Sequence, residues 1–340
     1  MKAILVESVG HTGVHEMPIP DLADDEVLIR AEYVGICGSD FHVFTGKHEF
    51  RKPPVVAGHE LAGIVEKIGP KVQSIRPGNR VTVLPQVGCG ECRFCRNNRP
   101  MLCGKRVVPG TEKWTGSFVE YFNAPESAVF KLPDNLDTKT AILAEPLAVS
   151  CHCVGKISEE NKPGLLILGV GSVGMLALAA ARKQGVGKIL VTDVAEYNLE
   201  TALTLGADGA VNVAKDDLAE ASRKLFGEDG PSAVILTAGG ETAMQQALNL
   251  AGRGATIVYV AMITSPVTLL TRPIVAKELS FVGSRTYSHD DFQNAMDLLA
   301  SDVPLFSSLV THVFPLESVQ DGFELMASRR EGFVKIVVAM

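Results

Sequence analysis

The chain has 340 residues, 46% of them hydrophobic, which is enough for sizeable cores and points to two domains rather than to a disordered or fibrous protein. Lys and Arg number 32 against 39 Asp and Glu, a net charge of -7 that excludes bulk electrostatic attraction to nucleic acid or to an anionic membrane and leaves small molecules as the expected partners. The N-terminal MKAILVESVG carries only a short apolar run ended by Glu7, without the core of a secretory signal, so a cytoplasmic location is expected, with the seven cysteines reduced.

Toward the N-terminus, short β-rich runs such as EVLIRAEYV, LAGIVEKIG and RVTVLP are separated by Pro and Gly signals, and 12 of the 18 prolines lie at or before Pro146. This pattern predicts a first domain of short strands and loops. Within it, Gly35-Ile-Cys37-Gly-Ser39-Asp-Phe-His42 and Gly58-His59-Glu60 supply a thiolate, an imidazole and a carboxylate, and Ala144-Glu145-Pro146 supplies another carboxylate. Catalytic zinc commonly has three protein ligands and one open position, a shell that Cys37 and His59 could complete with either Glu145 or Glu60.

Between these segments, Cys89, Cys92, Cys95 and Cys103 have the CxxCxxCx7C spacing with which one loop can wrap four thiolates around a tetrahedral ion. Zinc fits best, and four thiolates leave no position for water or substrate, so the expected role is structural. A nucleic-acid-binding zinc ribbon is the competing reading, at odds with the acidic chain. Cys151-His152-Cys153 is a poor third site, because residues i and i+2 of a helix point apart; core packing is expected there. Trp114 is placed as a candidate lining a substrate cleft.

Beyond Pro146 the rhythm changes. The runs GLLILG, KILVTD, GAVNV, SAVILTAG, ATIVYVAM and LSFVGS alternate with helical patterns, the signature of βαβ units and a doubly wound parallel sheet. One helix presents Val173, Leu176, Ala177 and Ala180, and another Met244, Ala247, Leu248 and Ala251, with Gly252 as an expected C-cap. The run from Leu165 to Ala181 falls short of the roughly 20 residues of a membrane span and contains three glycines. It reads instead as strand, glycine turn and helix. Gly169-Val-Gly171-Ser-Val173-Gly174 there matches GxGxxG between a strand and a helix, which predicts a dinucleotide pyrophosphate at the helix N-terminus. Asp193 ends the next strand, where it can accept hydrogen bonds from the adenosine ribose. No Arg or Lys occurs from Val194 to Asn198, so NAD is favoured over NADP. After Gly283 the alternation ends. A helix from about Asp290, with Phe292, Ala295, Met296 and Leu299 on one face, leads into THVFPLESV and GFVKIVVAM, a tail expected to pack on the first domain.

GICGSDxH, GHExxGxV, the four-cysteine loop and GVGSVG, in this order and over nearly the whole chain, resemble the zinc-dependent medium-chain dehydrogenase superfamily. EPLAV at 145–149 and the VTD strand are most similar to its sorbitol and polyol dehydrogenase branch. The resemblance implies a GroES-like catalytic domain (1–146 and 285–340) and a Rossmann domain binding NAD (147–284). It implies two zinc ions per subunit, a structural one on the cysteine loop and a catalytic one on Cys37, His59 and a carboxylate. Glu145 is placed first for that carboxylate, since Pro146 suits a helix start, with Glu60 as exchange partner. Ser39 is implied beside the zinc-bound oxygen, with His42 continuing a proton path through the cofactor ribose. Oxidation of a sorbitol-like polyol to a ketose by a homotetramer or dimer follows. A GSR segment before an HDDF helix also resembles hexonate dehydrogenases acting on galactonate or gulonate. For such a substrate Arg285, and more loosely Lys47, His48 and Arg51, could bind a carboxylate. Threonine or a simple alcohol, and a non-catalytic NAD- and zinc-binding regulatory protein, are the other readings. Two positions depart from the family pattern: Asn98 stands where glycine is usual, in a place suited to left-handed backbone, and Asn79 in place of Asp could weaken a turn.

Overall fold

The computed structural model describes residues 1–263 and 266–340, which fall into two compact units, Met1–Glu145 with Ser288–Met340, and Pro146–Tyr287.

The first unit holds eight strands before the chain leaves it. These are β1 (Lys2–Ser8), β2 (His11–Glu16), β3 (Glu26–Ile36), β4 (Val55–Val56), β5 (Glu60–Ile68), β6 (Arg80–Val83), β7 (Tyr121–Pro125) and β8 (Val129–Lys131). The second unit follows with β9 (Gly164–Leu168), β10 (Lys188–Asp193), β11 (Gly209–Asn212), β12 (Ala233–Leu236), β13 (Thr256–Tyr259) and β14 (Ser280–Gly283). The tail adds β15 (Val310–Pro315) and β16 (Lys335–Ala339) to the first unit's main sheet, in the order β15-β16-β3-β5-β6-β8, with β7 also paired to β3. A second small sheet runs β2-β1-β4.

Long β3 is the axis of this unit. Val27, Ile29, Ala31, Val34 and Ile36 enter a core that also takes Phe118, Phe122, Phe323 and Val338. Its antiparallel register with β5 sets Gly35 opposite Glu60, and its register with β16 sets Ile36 opposite Ile336. Cys37, Glu60 and Lys335 therefore come to one end of three adjacent strands, although the chain separates them widely.

The second unit's sheet is wholly parallel, in the order β11-β10-β9-β12-β13-β14, the doubly wound arrangement whose ligands lie at the strands' carboxyl ends. Every residue of β9 is buried, as expected for a central strand covered on both faces. The helix Glu241–Leu250 buries Met244, Ala247 and Leu248, but it ends differently from the sequence expectation. Ala251 is the cap, in extended conformation, and the Gly252 N–H bonds the Pro231 carbonyl at 2.9 Å. A Cβ on Gly252 would strike the Asp229 carbonyl, so close backbone packing, not a left-handed cap, is what requires glycine there. In the first unit, the helix His289–Ser301 opens with a capping box in which Ser288 Oγ accepts the Asp291 N–H and Asp291 accepts the Ser288 N–H at 2.8 Å. Its buried face is Phe292, Ala295, Met296 and Leu299. Among the described residues no helix is long and apolar enough to cross a membrane.

Candidate metal centres and dinucleotide turn

Cys37 immediately follows β3 and sits at the head of the helix Gly38–Phe44, while His59 immediately precedes β5 and Glu60 opens it. Their ligand atoms all lie within 4.8 Å of one another. Asp40 binds the two segments together. Its Oδ2 accepts the Cys37 N–H at 3.1 Å, its Oδ1 accepts the Gly58 N–H at 3.0 Å, and the same oxygen lies 3.5 Å from His59 Nδ1. With Nδ1 turned to a carboxylate, Nε2 is the nitrogen left for an ion, the usual carboxylate–histidine–metal arrangement. Burial opposes ionisation of Asp40, yet the charges of His59 and Arg51 and the Cys37 N–H outweigh it and hold the carboxyl below its ordinary range. Burial likewise opposes protonation of His59, and the negative groups Asp40 and Cys37 overcome it, raising the imidazole well above its usual value.

Glu60 has a second partner that the sequence did not announce. Buried Lys335, at the start of β16, forms an ion pair with Glu60 and donates to the Ile36 carbonyl at 3.2 Å. Burial works against the ammonium, but Glu60, Cys37 and Glu145 together raise its pKa. Gly35 makes the pairing possible, because a Cβ there would run into both the Glu60 carboxylate and the Lys335 side chain. Glu145 is buried in the first turn of the helix Ala144–Val154, with Pro146 third in that helix instead of first. Glu145 lies outside the Cys37–His59–Glu60 group. Glu60 is thus the ion-pair partner of Lys335, and the Glu145 charge adds a smaller effect on the same ammonium. Lys335→Met should destabilise the protein by about 3 kcal/mol, the cost of leaving a buried charge without its partner, and adding Glu60→Gln should recover most of the loss in urea unfolding. Equal instability of the single and double variants would contradict the pairing.

Ser39 and His42 lie on the same short helix, both half-buried, and His42 Nδ1 is buried without a hydrogen-bond partner. Trp114, expected at a substrate cleft, packs instead into the first unit's core. It is 7% exposed, donates its indole N–H to the Asn123 carbonyl at 2.7 Å, and stacks on Phe122 at 5.5 Å. Arg285 is exposed.

The thiols of Cys89, Cys92, Cys95 and Cys103 form the second group of ligand atoms within 4.8 Å. All seven cysteines are free. Backbone N–H groups of Cys89 (3.5 Å) and Lys105 (3.4 Å) point at Cys103 Sγ, and such donors favour the thiolate, lowering the Cys103 pKa. Cys92 is lowered to about 6, chiefly by the Cys95 N–H. Burial pushes the Cys95 thiol up to about 12, so it is the convergence of the four sulfurs, more than a uniform field, that fits a tetrahedral zinc. Asn98 takes the left-handed conformation the loop requires (φ 52°) and adds a hydrogen bond to Asp290 at 2.6 Å. Asn79 still closes its turn, accepting the Arg76 N–H at 3.1 Å. Cys151 and Cys153 are buried, the latter donating to the Ser150 carbonyl, and belong to no metal-ligating group among the described residues.

In the second unit, Gly169 has φ +96° and lies against Ala238 and Thr237, Gly171 faces open space, and Gly174 leaves no room for a Cβ against the Gly169 carbonyl. Val173 sits in the first turn of the helix Ser172–Lys183. The open face at Gly171, at the head of that 12-residue helix, fits a pyrophosphate. Asp193 does more than the sequence indicated. Its Oδ2 accepts the Val170 N–H at 3.0 Å, while Oδ1 accepts those of Val194 (2.8 Å) and Ala195 (3.0 Å), so this carboxylate braces the glycine turn. Thr237 Oγ1 ties the turn from the other side through the Gly169 carbonyl at 2.5 Å.

Residues 23–134 match the family model for an alcohol dehydrogenase GroES-like domain, and residues 172–301 that for a zinc-binding dehydrogenase. The chain is 33% identical to a sorbitol dehydrogenase of Bacillus subtilis over 343 aligned positions, covering 99% of this chain and 97% of the relative. It is equally similar, at 33%, to an L-threonine 3-dehydrogenase of Anaeromyxobacter, covering 98% of each. Among solved structures, an alcohol dehydrogenase of Escherichia coli complexed with NADH superposes with a TM-score of 0.90 at 29% identity, covering 100% of this chain and 99% of the other.

Proposed function

The chain belongs to the zinc-type medium-chain alcohol and polyol dehydrogenases, and on that premise we propose that it oxidises a secondary hydroxyl of a polyol to a ketose with NAD. The observation that carries the reading is the group of Cys37, His59 and Glu60, three ligands of mixed type for an ion that keeps an open position, in contrast to the closed four-thiol shell. A protein that only bound dinucleotide and metal would need no such open site.

When bound, zinc polarises the substrate hydroxyl and the nicotinamide takes up the hydride. The chain's own residues do the rest. Cys37 and His59 supply a thiolate and an imidazole, and Glu60, whose carboxylate lies within reach of both, supplies the third donor, with Glu145 as its alternate. Asp40 fixes the His59 ring so that Nε2 faces the ion. Ser39 accepts the hydroxyl proton and passes it to His42, whose buried, unbonded Nδ1 has the free acceptor capacity that a relay needs. Gly169, Gly171, Val173 and Gly174 bring backbone to the dinucleotide, and Asp193 prefers two ribose hydroxyls to a 2′-phosphate.

Similarity to both a sorbitol and a threonine dehydrogenase makes the substrate panel the test. With zinc and NAD, initial rates of NADH formation should favour polyhydroxylated substrates over simple alcohols and threonine. Asp193→Ser should raise the preference for NADP relative to NAD by about tenfold. Preference for threonine, or an unchanged cofactor ratio, would contradict the corresponding assignment.

A further inference from the structure

The loop between the helix Gly38–Phe44 and β4 buries a cation that nothing in the proposed chemistry uses. Arg51 is only 8% exposed. Its Nη2 donates to the Pro109 carbonyl at 2.6 Å, whereas its Nε is buried with no hydrogen bond, and among the described residues no carboxylate forms an ion pair with it. Gly110, in the left-handed region at φ +77°, lets backbone lie flat on one edge of the guanidinium, for a Cβ there would come within 3.0 Å of Nε. Buried guanidinium groups are ordinarily paired, and an unpaired one calls for an explanation.

The acid that feels this charge is Asp40, which also faces His59. Asp40 offsets part of that charge without a hydrogen bond to it: its oxygens accept the N–H groups of Cys37 and Gly58 and lie against the His59 ring. The His48 N–H bonds the His42 carbonyl at 2.9 Å, which ties this loop to the helix Gly38–Phe44 that Cys37 heads. Next to Arg51 stands His48, 4% exposed, whose Nδ1 accepts the backbone N–H groups of Arg51 (3.1 Å) and Phe50 (3.4 Å). That assignment puts the ring proton on Nε2. Burial and the Arg51 charge push the His48 pKa down to about 4, so the ring is a neutral donor at any working pH. Phe50, 60% exposed, packs edge-on against His48 at 4.7 Å, and the loop's one acid, Glu49, is exposed and pairs with nothing among the described residues.

We propose that Arg51, assisted by His48 Nε2–H, is the subsite for one oxyanion head group, carboxylate or phosphate, carried by the polyhydroxylated substrate whose hydroxyl reacts at Cys37, His59 and Glu60. This rests on the dehydrogenase reading above and narrows its substrate class from neutral polyols to acidic ones. A guanidinium whose Nη2 is held by the Pro109 carbonyl and whose face lies 5.6 Å from the Phe50 ring centroid, with Nε left unbonded, is suited to planar or tetrahedral oxyanions, and burial strengthens the bond. Arg285, the other candidate for this role, is exposed and lacks that enclosure.

The test uses the zinc-loaded protein with three probes of equal carbon chain: a hexonate, a hexitol phosphate and the neutral hexitol. Thermal unfolding and kcat/KM are measured for each, in wild type, Arg51→Met and Arg51→Lys. One anion should raise the wild-type Tm where the hexitol does not, and which anion does so identifies the head group. Arg51→Met should abolish that rise and lower kcat/KM for the anion roughly 30-fold more than for the hexitol, mainly through KM; Arg51→Lys, which keeps the charge, should restore part of both. If the wild type shows no anion-dependent rise in Tm, or if Arg51→Met lowers anion and hexitol turnover equally, the subsite is refuted. Absence of turnover on every probe would overturn the polyol dehydrogenase reading, while an Arg51-dependent rise in Tm would still establish the anion site.

Discussion

Replacing Cys37 with Ser, or His59 with Ala, is expected to lower the rate of NADH formation on the order of a thousandfold while changing the unfolding temperature by only a few degrees. The reason for the split lies in where these side chains stand. Both are partly exposed at the end of β3 and the start of β5, outside the apolar cluster that holds the first unit together, so their removal takes away ligands and little packing. Asp40 makes the His59 result sharper. Its carboxylate has backbone N–H donors from Cys37 and Gly58 and stays anchored when the imidazole is gone, so local structure should survive. Steady-state kinetics with thermal unfolding of the same preparations checks the prediction, and near-normal turnover in either variant would remove these residues from the chemistry.

Cys95→Ser should do the reverse, costing about 4 kcal/mol or more of stability and lowering Tm by roughly 10 °C, with one zinc lost per chain. Cys89, Cys92, Cys95 and Cys103 line a loop whose regular structure amounts to the short helix Arg93–Arg96 and one 3-10 turn, Pro100–Leu102. So little secondary structure leaves the loop to other restraints, and four sulfurs that converge within one group, with backbone N–H donors aimed at Cys103 Sγ, suit a bound ion for that work. Unfolding curves and metal analysis decide it. A variant as stable as wild type, with the zinc count unchanged, would mean that the cysteines are not a metal shell.

Local patterns were readable from sequence because their physics is local. The strand KILVTD coincides with β10, Lys188–Asp193, since its inner run Ile189, Leu190 and Val191 is buried and apolar, as a parallel strand covered on both faces requires. The glycine turn was legible because pyrophosphate approach fixes its spacing, and the cysteine loop because one ion needs four thiols within a single segment. What escaped depends on register between distant segments. Lys335 bonds Ile36 across 299 positions of sequence, and no periodicity in KIVVA marks its first residue as the partner of Glu60. Asp40 looked like one polar residue among several in GSDFH, and only the folded chain reveals that it braces both Cys37 and His59. Trp114 was misread for a related reason. A lone aromatic in a loop carries no pattern, and its stacking on Phe122 with a satisfied indole N–H places it in the core. Enclosure, which separates buried Arg51 from exposed Arg285, leaves no trace in composition.

The central claim is that two metal positions have separate jobs, one open and reactive, one closed and structural. Zinc stoichiometry and the rate of NADH formation, measured side by side for wild type, Cys37→Ser and Cys95→Ser, test it most directly. The account predicts two zinc ions per chain in the wild type, and one in each variant. Cys37→Ser should be inactive but stably folded, and Cys95→Ser should lose stability first, with any folded fraction still turning over. Activity in Cys37→Ser with its single zinc, or a wild type that holds one zinc and turns over at full rate, would contradict it.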